Sequence, residues 1–252
     1  MSKKHLYKLL TYINKVYDLS EKIKGLKDKR PKPKVATSTV SFLVLMGFML
    51  QMRSFNRLNK WTKKDKFKRL FKRGTKLPSI DTIRYSLSEF DLDTLNNMYD
   101  NVIKTIKKNK VFIKGTIDDF RVAAIDGVEL FESTEKHCNE CLTRKDKNGK
   151  IHYFHKSIVC MMIGIKPNII IGQEMLNRKK DSSEKDEGEL TGSKRLIKKL
   201  HDKYKHFADV IVADALYMNA PWINEILDLG MDAVIRVKDE NLFNSTRCDR
   251  FI

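Results

Sequence analysis

Two aspartates sit in runs of residues that otherwise belong inside a sheet. Asp126 follows Val122, Ala123, Ala124 and Ile125, and Asp214 follows Val210, Ile211, Val212 and Ala213. A carboxylate carried on such a strand is expected to be partly desolvated, which is costly unless a cation or a hydrogen-bond donor stands beside it. In open α/β sheets ligands gather at the carboxyl ends of strands, so two neighbouring strands of this kind would aim both acids into one cleft. Hard oxygen ligands suit Mg²⁺ or Mn²⁺, which keep several waters and bridge to phosphate oxygens. Two such ions about 3.5–4 Å apart can activate water and stabilise the leaving oxygen in phosphodiester cleavage. The plainer alternative is that each Asp caps a strand by bonding a loop amide. That explains either residue alone more easily than both together.

A second group could hold a different metal. Cys138 and Cys141 form a C-x-x-C, the spacing at which two thiolates reach one tetrahedral ion, and His137 adjoins them. His152 and His155 follow, beyond Asn148-Gly149, a dipeptide that favours a turn. A hairpin folded there would carry a histidine back towards the sulfurs. The three-residue offset puts His152 and His155 on opposite strand faces, so both serving one ion would need a bend. Either His152 or His155 could be the one brought near, and Cys138, Cys141 and His155 are named as the candidate structural Zn²⁺ ligands. A polar hairpin with free thiols is the alternative. A redox pair is disfavoured because no helix N-terminus is evident at the motif. Cys160 lies in an apolar run and reads as core, and Cys248 has no evident partner.

The chain around these groups has 252 residues, enough for one large domain or two small ones, and its 41% hydrophobic content allows a buried core. Its 50 Lys and Arg against 32 Asp and Glu give a formal charge of +18. Such a surplus repels itself unless a polyanion neutralises it, which points to nucleic acid, although Lys-rich codon usage alone also produces basic proteins. No export signal is evident at the start. The apolar stretch 41–50 is too short to cross a bilayer and reads as a buried core helix, so no membrane partner is expected.

The elements that must position the acids follow from periodicity. Residues up to about 118 read as helical: Leu6, Leu9, Leu10, Ile13 and Val16 recur at helical spacing, a basic linker KIKGLKDKRPKPK follows, and an apolar helix runs from about Val35 to Met52. Lys60, Lys63, Lys64, Lys68, Arg69, Lys72 and Arg73, interleaved with Trp61, Phe67 and Phe71, suggest a helix with inward aromatics and a phosphate-binding outer side, or simply a solvated face. Ser79 or Asp81 starts a further helix. From Arg121 the texture becomes strand-like: RVAAIDGVELF, then GKIHYFHKSIVCMMIGI, a turn at Lys166-Pro167-Asn168, and IIIGQEML. A charged loop leads to the helix LTGSKRLIKKLHDKYKHF, the strand DVIVADALY, a helix from Ala220 to Leu229 stopped by Gly230, and the strand DAVIRVKD. A meander followed by strand–helix alternation predicts an α/β fold with a mixed sheet flanked by helices. Glu187 and Glu189 could be accessory ligands, but beside Asp181, Glu184 and Asp186 they read as a solvated charge run.

In this order and spacing AAIDGVELF, HCNECLTR, HYFHKSIV, IIIGQEML, the GEL stretch, VIVADALYMNAPWI and AVIRVKDEN resemble the core of insertion-sequence transposases of the acidic-triad (DDE) class. LPSIDTIRYSLSEFD resembles the segment preceding that core, so the likeness spans roughly residues 75–245. The resemblance implies a ribonuclease-H-like core over 119–252, behind an all-helical, basic, DNA-binding region over 1–118. It implies that Asp126 and Asp214 are the first and second acids, binding Mg²⁺ or Mn²⁺. The implied partners are transposon ends and target DNA, handled by a homodimer in the cytoplasm at the nucleoid without a covalent protein–DNA intermediate. The third acid of the class, a helix-borne Glu after the last strand, has no match before Ile252, because Glu240 stands too close to the strand end. A truncated or inactive core is the implied state. A DNA-binding remnant without catalysis and another ribonuclease-H-like nuclease are the alternatives. A ribosome-associated basic protein would fit the charge but leave the two aspartates unexplained.

Overall fold

The computed structural model describes residues 3–112, 115–164, 168–179 and 186–237. The chain divides into two compact units, 1–109 and 110–252. The division precedes the 118/119 boundary read from the sequence because the segment after residue 115 is tied into the second unit. There the Thr116 amide donates to the Phe120 carbonyl (2.7 Å), and the Val122 amide donates to Thr116 Oγ1 (2.8 Å).

The first unit is helical: α1 (Lys3–Tyr17), α2 (Leu19–Lys24), α3 (Thr37–Met49), α4 (Phe55–Thr62), α5 (Asp65–Lys68), α6 (Ile80–Ser88) and α7 (Leu92–Lys108). Its core is built on Val40, Leu43 and Met46 of α3, with Leu58, Phe67 and Ile83 packed around them. These α3 residues recur every third position and so share one face. The other side is open, with Phe48 76% exposed, so the apolar helix is buried on one face only. Ser79 caps α6, its hydroxyl accepting from the Thr82 amide at 3.3 Å. The basic segment read as a linker is instead partly built in. Arg30 and Asp28 form a 2.7 Å ion pair with side chains 4% and 1% exposed, and Ser86 Oγ donates to Asp28 at 2.6 Å. A buried charge persists only when paired and hydrogen-bonded, and Asp28 supplies that partner inside a run that otherwise looks solvated. No helix among the described residues is long and apolar enough to cross a membrane.

The second unit is mixed α/β. Its strands are β1 (Val122–Ser133), β2 (Leu142–Lys145), β3 (Ile151–Ile163), β4 (Ile169–Met175), β5 (Val210–Ala213) and β6 (Asp232–Ile235). The sheet order is β2-β3-β1-β5-β6, with β4 also paired to β3. β3 is antiparallel to β1, β2 and β4, whereas β1, β5 and β6 run parallel. The parallel steps are made through α8 (Glu189–Tyr204) and α9 (Ala220–Asp228). α8 packs on β3 and β4, α9 packs on β6, and the two helices touch. Between them Trp222 Nε1 donates to Ser193 Oγ at 2.8 Å, both residues having no exposed surface. Gly230, at φ 75°, follows the C-cap of α9 in the left-handed conformation that costs glycine little. The expected turn at 166–168 and the residues Asp181, Glu184, Glu240 and Cys248 lie wholly or partly outside the described residues.

Candidate functional site

The parallel pairing of β1 with β5 matches Val122 to Val210, Ala123 to Ile211 and Ala124 to Val212. Asp214 continues β5 in extended conformation (φ −80°, ψ 177°), so two further residues along each chain bring Asp126 level with Asp214. Side chains two apart share a face, hence both acids belong to one face of the sheet. The expected desolvation is not general: Asp126 is exposed and Asp214 half-buried. The reason is that β5 ends one residue before Asp214, leaving the outer part of β1 uncovered on that edge. Each Oδ1 accepts a backbone amide, Gly127 onto Asp126 at 2.7 Å and Leu216 onto Asp214 at 2.9 Å. These are the contacts of the capping alternative. Asp126 has no ion-pair partner among the described residues.

A third carboxylate, Glu189, which the sequence reads as part of a solvated run, lies against β1 at Gly127, the residue after Asp126. Glu189 opens α8, with its side chain only 17% exposed, and forms an ion pair with Lys156 of β3. Its Oε2 accepts from the hydroxyl of Tyr217 at 3.3 Å. Its carboxylate lies so close to the backbone of Gly127 that any side chain there would collide with it and with Lys156. Tyr217 has no exposed surface, and burial pushes its phenol well above the usual range. Glu189, Asp126 and Asp214 raise it further, in that order. Capping accounts for the amide bonds of each Asp. Glu187, by contrast, is occupied elsewhere. With its side chain 6% exposed, it pairs with Arg195 and accepts the Asn177 amide at 2.8 Å, holding the loop before α8.

Beside Glu189 lies an open cavity of about 690 Å³, lined in part by Arg144, Lys156, Arg178, Lys179, Asp186 and Leu216. Asp126 and Asp214 are not among its lining residues. Its lining is mixed in charge, with Glu187 and Glu189 beside those basic residues and Asp186.

In the first unit Lys60, Lys63, Lys64, Lys68, Arg69, Lys72 and Arg73 are all exposed. They do not share one helix: α4 and α5 are separate short elements, and Lys72 and Arg73 lie beyond both. Phe67 is 3% exposed and stacks edge-on to Trp61, while the Lys64 ammonium lies 4.8 Å over the Trp61 ring. The aromatics thus face inward and the cations outward.

The cysteine motif is also assembled. β2 and β3 form a hairpin across Asp146–Lys150, longer than a two-residue Asn-Gly turn, in which Asp146 Oδ1 accepts the Asn148 and Lys150 amides. The hairpin sets Cys138 Sγ 3.7 Å from Cys141 Sγ, and His155 Nε2 3.3 Å and 3.4 Å from the two sulfurs. His152 is turned away, bonded to Glu132 at 2.6 Å, and His137 stacks on Tyr153 at 4.3 Å. Cys160 is fully buried in β3, and burial pushes its thiol far up.

No protein-family model matches the chain, and no curated protein matches it. Among solved structures, the cryo-EM structure of a piggyBac transposase synaptic complex with hairpin DNA is similar to it. The identity is 16% and the TM-score 0.40, over 93% of this chain and 50% of that one. The chain thus spans half the length of that transposase chain.

Proposed function

We propose that the second unit is a ribonuclease-H-like core of the acidic-triad transposase type, acting on DNA phosphodiester bonds, with Asp126 and Asp214 as its metal ligands and Glu189 beside them. The observation that carries this reading is the register of β1 on β5, which sets Asp126 and Asp214 two residues beyond the matched pair Ala124 and Val212, on one face of the sheet. The mixed sheet, with its meander first and parallel strands after, suits it as well.

Carboxylates are the donors a hard divalent cation takes, and Asp126 and Asp214 would have to draw together to share one, since among the described residues only Cys138, Cys141 and His155 already stand close enough to hold an ion. When bound, Mg²⁺ or Mn²⁺ would supply Lewis-acid activation of water and charge neutralisation at the leaving oxygen. The protein's own groups do the positioning. Tyr217, kept neutral, donates to Glu189 and fixes that carboxylate against Gly127. Lys156 offsets its charge, so a phosphate can approach a site rich in acids. Arg144, Arg178 and Lys179 hold the backbone of the strand along the adjoining cavity. The exposed cations of the first unit add sequence-independent phosphate contacts of their own, each worth a salt slope of about −0.9 on duplex DNA.

The test is Mn²⁺-dependent nicking of supercoiled plasmid, run beside a salt series of duplex binding. Nicking should fall at least about 100-fold in Asp126→Asn and in Asp214→Asn, matching the loss of a transition-state contact of about 2.7 kcal/mol. Duplex binding should persist in both variants and lose salt slope when Lys63, Lys64 and Lys68 are neutralised. Metal-dependent nicking at the wild-type rate in either Asn variant would contradict the assignment.

A further inference from the structure

We infer that Cys138, Cys141 and His155 hold a zinc ion, separate from the acidic site and independent of the function proposed above. A tetrahedral ion with Zn–S near 2.3 Å and Zn–N near 2.0–2.1 Å sets two sulfurs about 3.8 Å apart and each sulfur about 3.6 Å from the nitrogen. The corresponding separations here are 3.7, 3.3 and 3.4 Å. One ion can therefore touch all three atoms with small adjustments. A disulfide needs about 2.05 Å between sulfurs, so the pair is not bonded.

The chain around the motif is shaped for this. The Cys138 amide points at Cys141 Sγ (3.3 Å), and the Cys141 amide donates to the Cys138 carbonyl (3.3 Å), folding the C-x-x-C into a tight knuckle. His155 reaches the sulfurs from β3, opposite Phe131, just beyond the bulge between Glu129 and Phe131. Arg178 Nη1 donates to the Asn139 carbonyl at 3.1 Å and so braces the knuckle from the loop after β4. Cys141 is 1% exposed and Cys138 exposed, so the ion would be buried on one side. Solvent can reach the remaining tetrahedral position past Cys138. Soft thiolates with an imidazole select zinc over Mg²⁺ or Mn²⁺, which separates this site chemically from the carboxylates. The ion would staple the 134–141 segment to the β2–β3 hairpin, next to the cavity that Arg144 and Arg178 line.

The full chain, purified without chelator, should contain zinc at one ion per molecule by elemental analysis. After exchange with Co²⁺ it should show thiolate charge-transfer and tetrahedral d–d absorption. Cys138→Ser and His155→Ala should each weaken binding by more than the roughly 10–100-fold typical of an outer-shell change. Asp126→Asn, which leaves the acidic site defective, should keep full zinc. The Co²⁺ spectrum is read on the unaltered chain, so misfolding of a variant cannot decide the result. A chain that takes up neither ion, that keeps full zinc in both ligand variants, or that proves 2 Da light with a Cys138–Cys141 disulfide, overturns the inference.

Discussion

Asp126 on β1 and Asp214, the residue just past β5, each lie two residues beyond the matched parallel pair Ala124 and Val212. The register is fixed by burial, since Ile125 and Ile211 are 2% and 0% exposed on the opposite face. A slip of one residue would expose those isoleucines and turn one acid away, so the hydrophobic pattern that folds the sheet also keeps the two acids on one face.

Gly127 follows Asp126 and allows Glu189 to approach. Gly127→Ala puts a methyl group where the ends of Glu189 and Lys156 now lie. Both are tips of flexible side chains, so stability should change by only about 1 kcal/mol, the low end of overpacking. Mn²⁺ affinity should drop about tenfold as Glu189 is displaced. Thermal melts and metal titration on the same sample separate the two effects. Unchanged affinity would remove Glu189 from the site.

Tyr217 is predicted to stay protonated through the range in which ordinary tyrosines ionise, around pH 10. Burial is the main cause, and the negative charges of Glu189, Asp126 and Asp214 act in the same direction. Phenolate absorbance curves of wild type and Tyr217→Phe should therefore superimpose near pH 10. One extra phenol ionising there in wild type would show that Tyr217 is solvated. Loss of the hydroxyl should cost about 1 kcal/mol, the net worth of one hydrogen bond.

In the helical unit, Asp28→Ala should destabilise by about 3–5 kcal/mol, because it strands the Arg30 guanidinium in the interior. Burial by itself would raise the Asp28 carboxyl, but hydrogen bonds from Arg30, Ser86 and Thr37 outweigh it and hold it below the usual range. A depressed folded-state pKa means that the unfolded chain takes up the proton first. The stabilisation is thus complete above the unfolded value of about 3.9 and declines as pH falls through the folded one. Urea melts of wild type and variant should converge in acid. A gap that is constant down to pH 2 would show that the charge of Asp28 is irrelevant.

Much of this architecture was legible in the sequence. Long elements with clear periods, such as β3 with its apolar Ile158, Cys160 and Met162, or α8 with Leu196, Ile197 and Leu200, are read directly because burial dictates their pattern. β2 was not seen, since LTRK is short, polar and buried only at Leu142. The buried Asp28–Arg30 pair was missed because nothing local distinguishes it within a Lys-rich run. Glu189 was passed over for the same reason. Its burial depends on Lys156 and Tyr217, which are 33 and 28 positions away, and a charge run shows no such long-range contacts.

In the proposed function Asp126 and Asp214 act on one divalent cation. The direct measurement is calorimetric titration of Mn²⁺ into the wild-type chain, Asp126→Asn, Asp214→Asn and the double variant, each checked for folding by circular dichroism. Wild type should bind, each single variant should lose most of that binding, and the double variant should lose little more, because the two carboxylates serve the same ion. Single variants that bind Mn²⁺ as tightly as wild type would contradict the account.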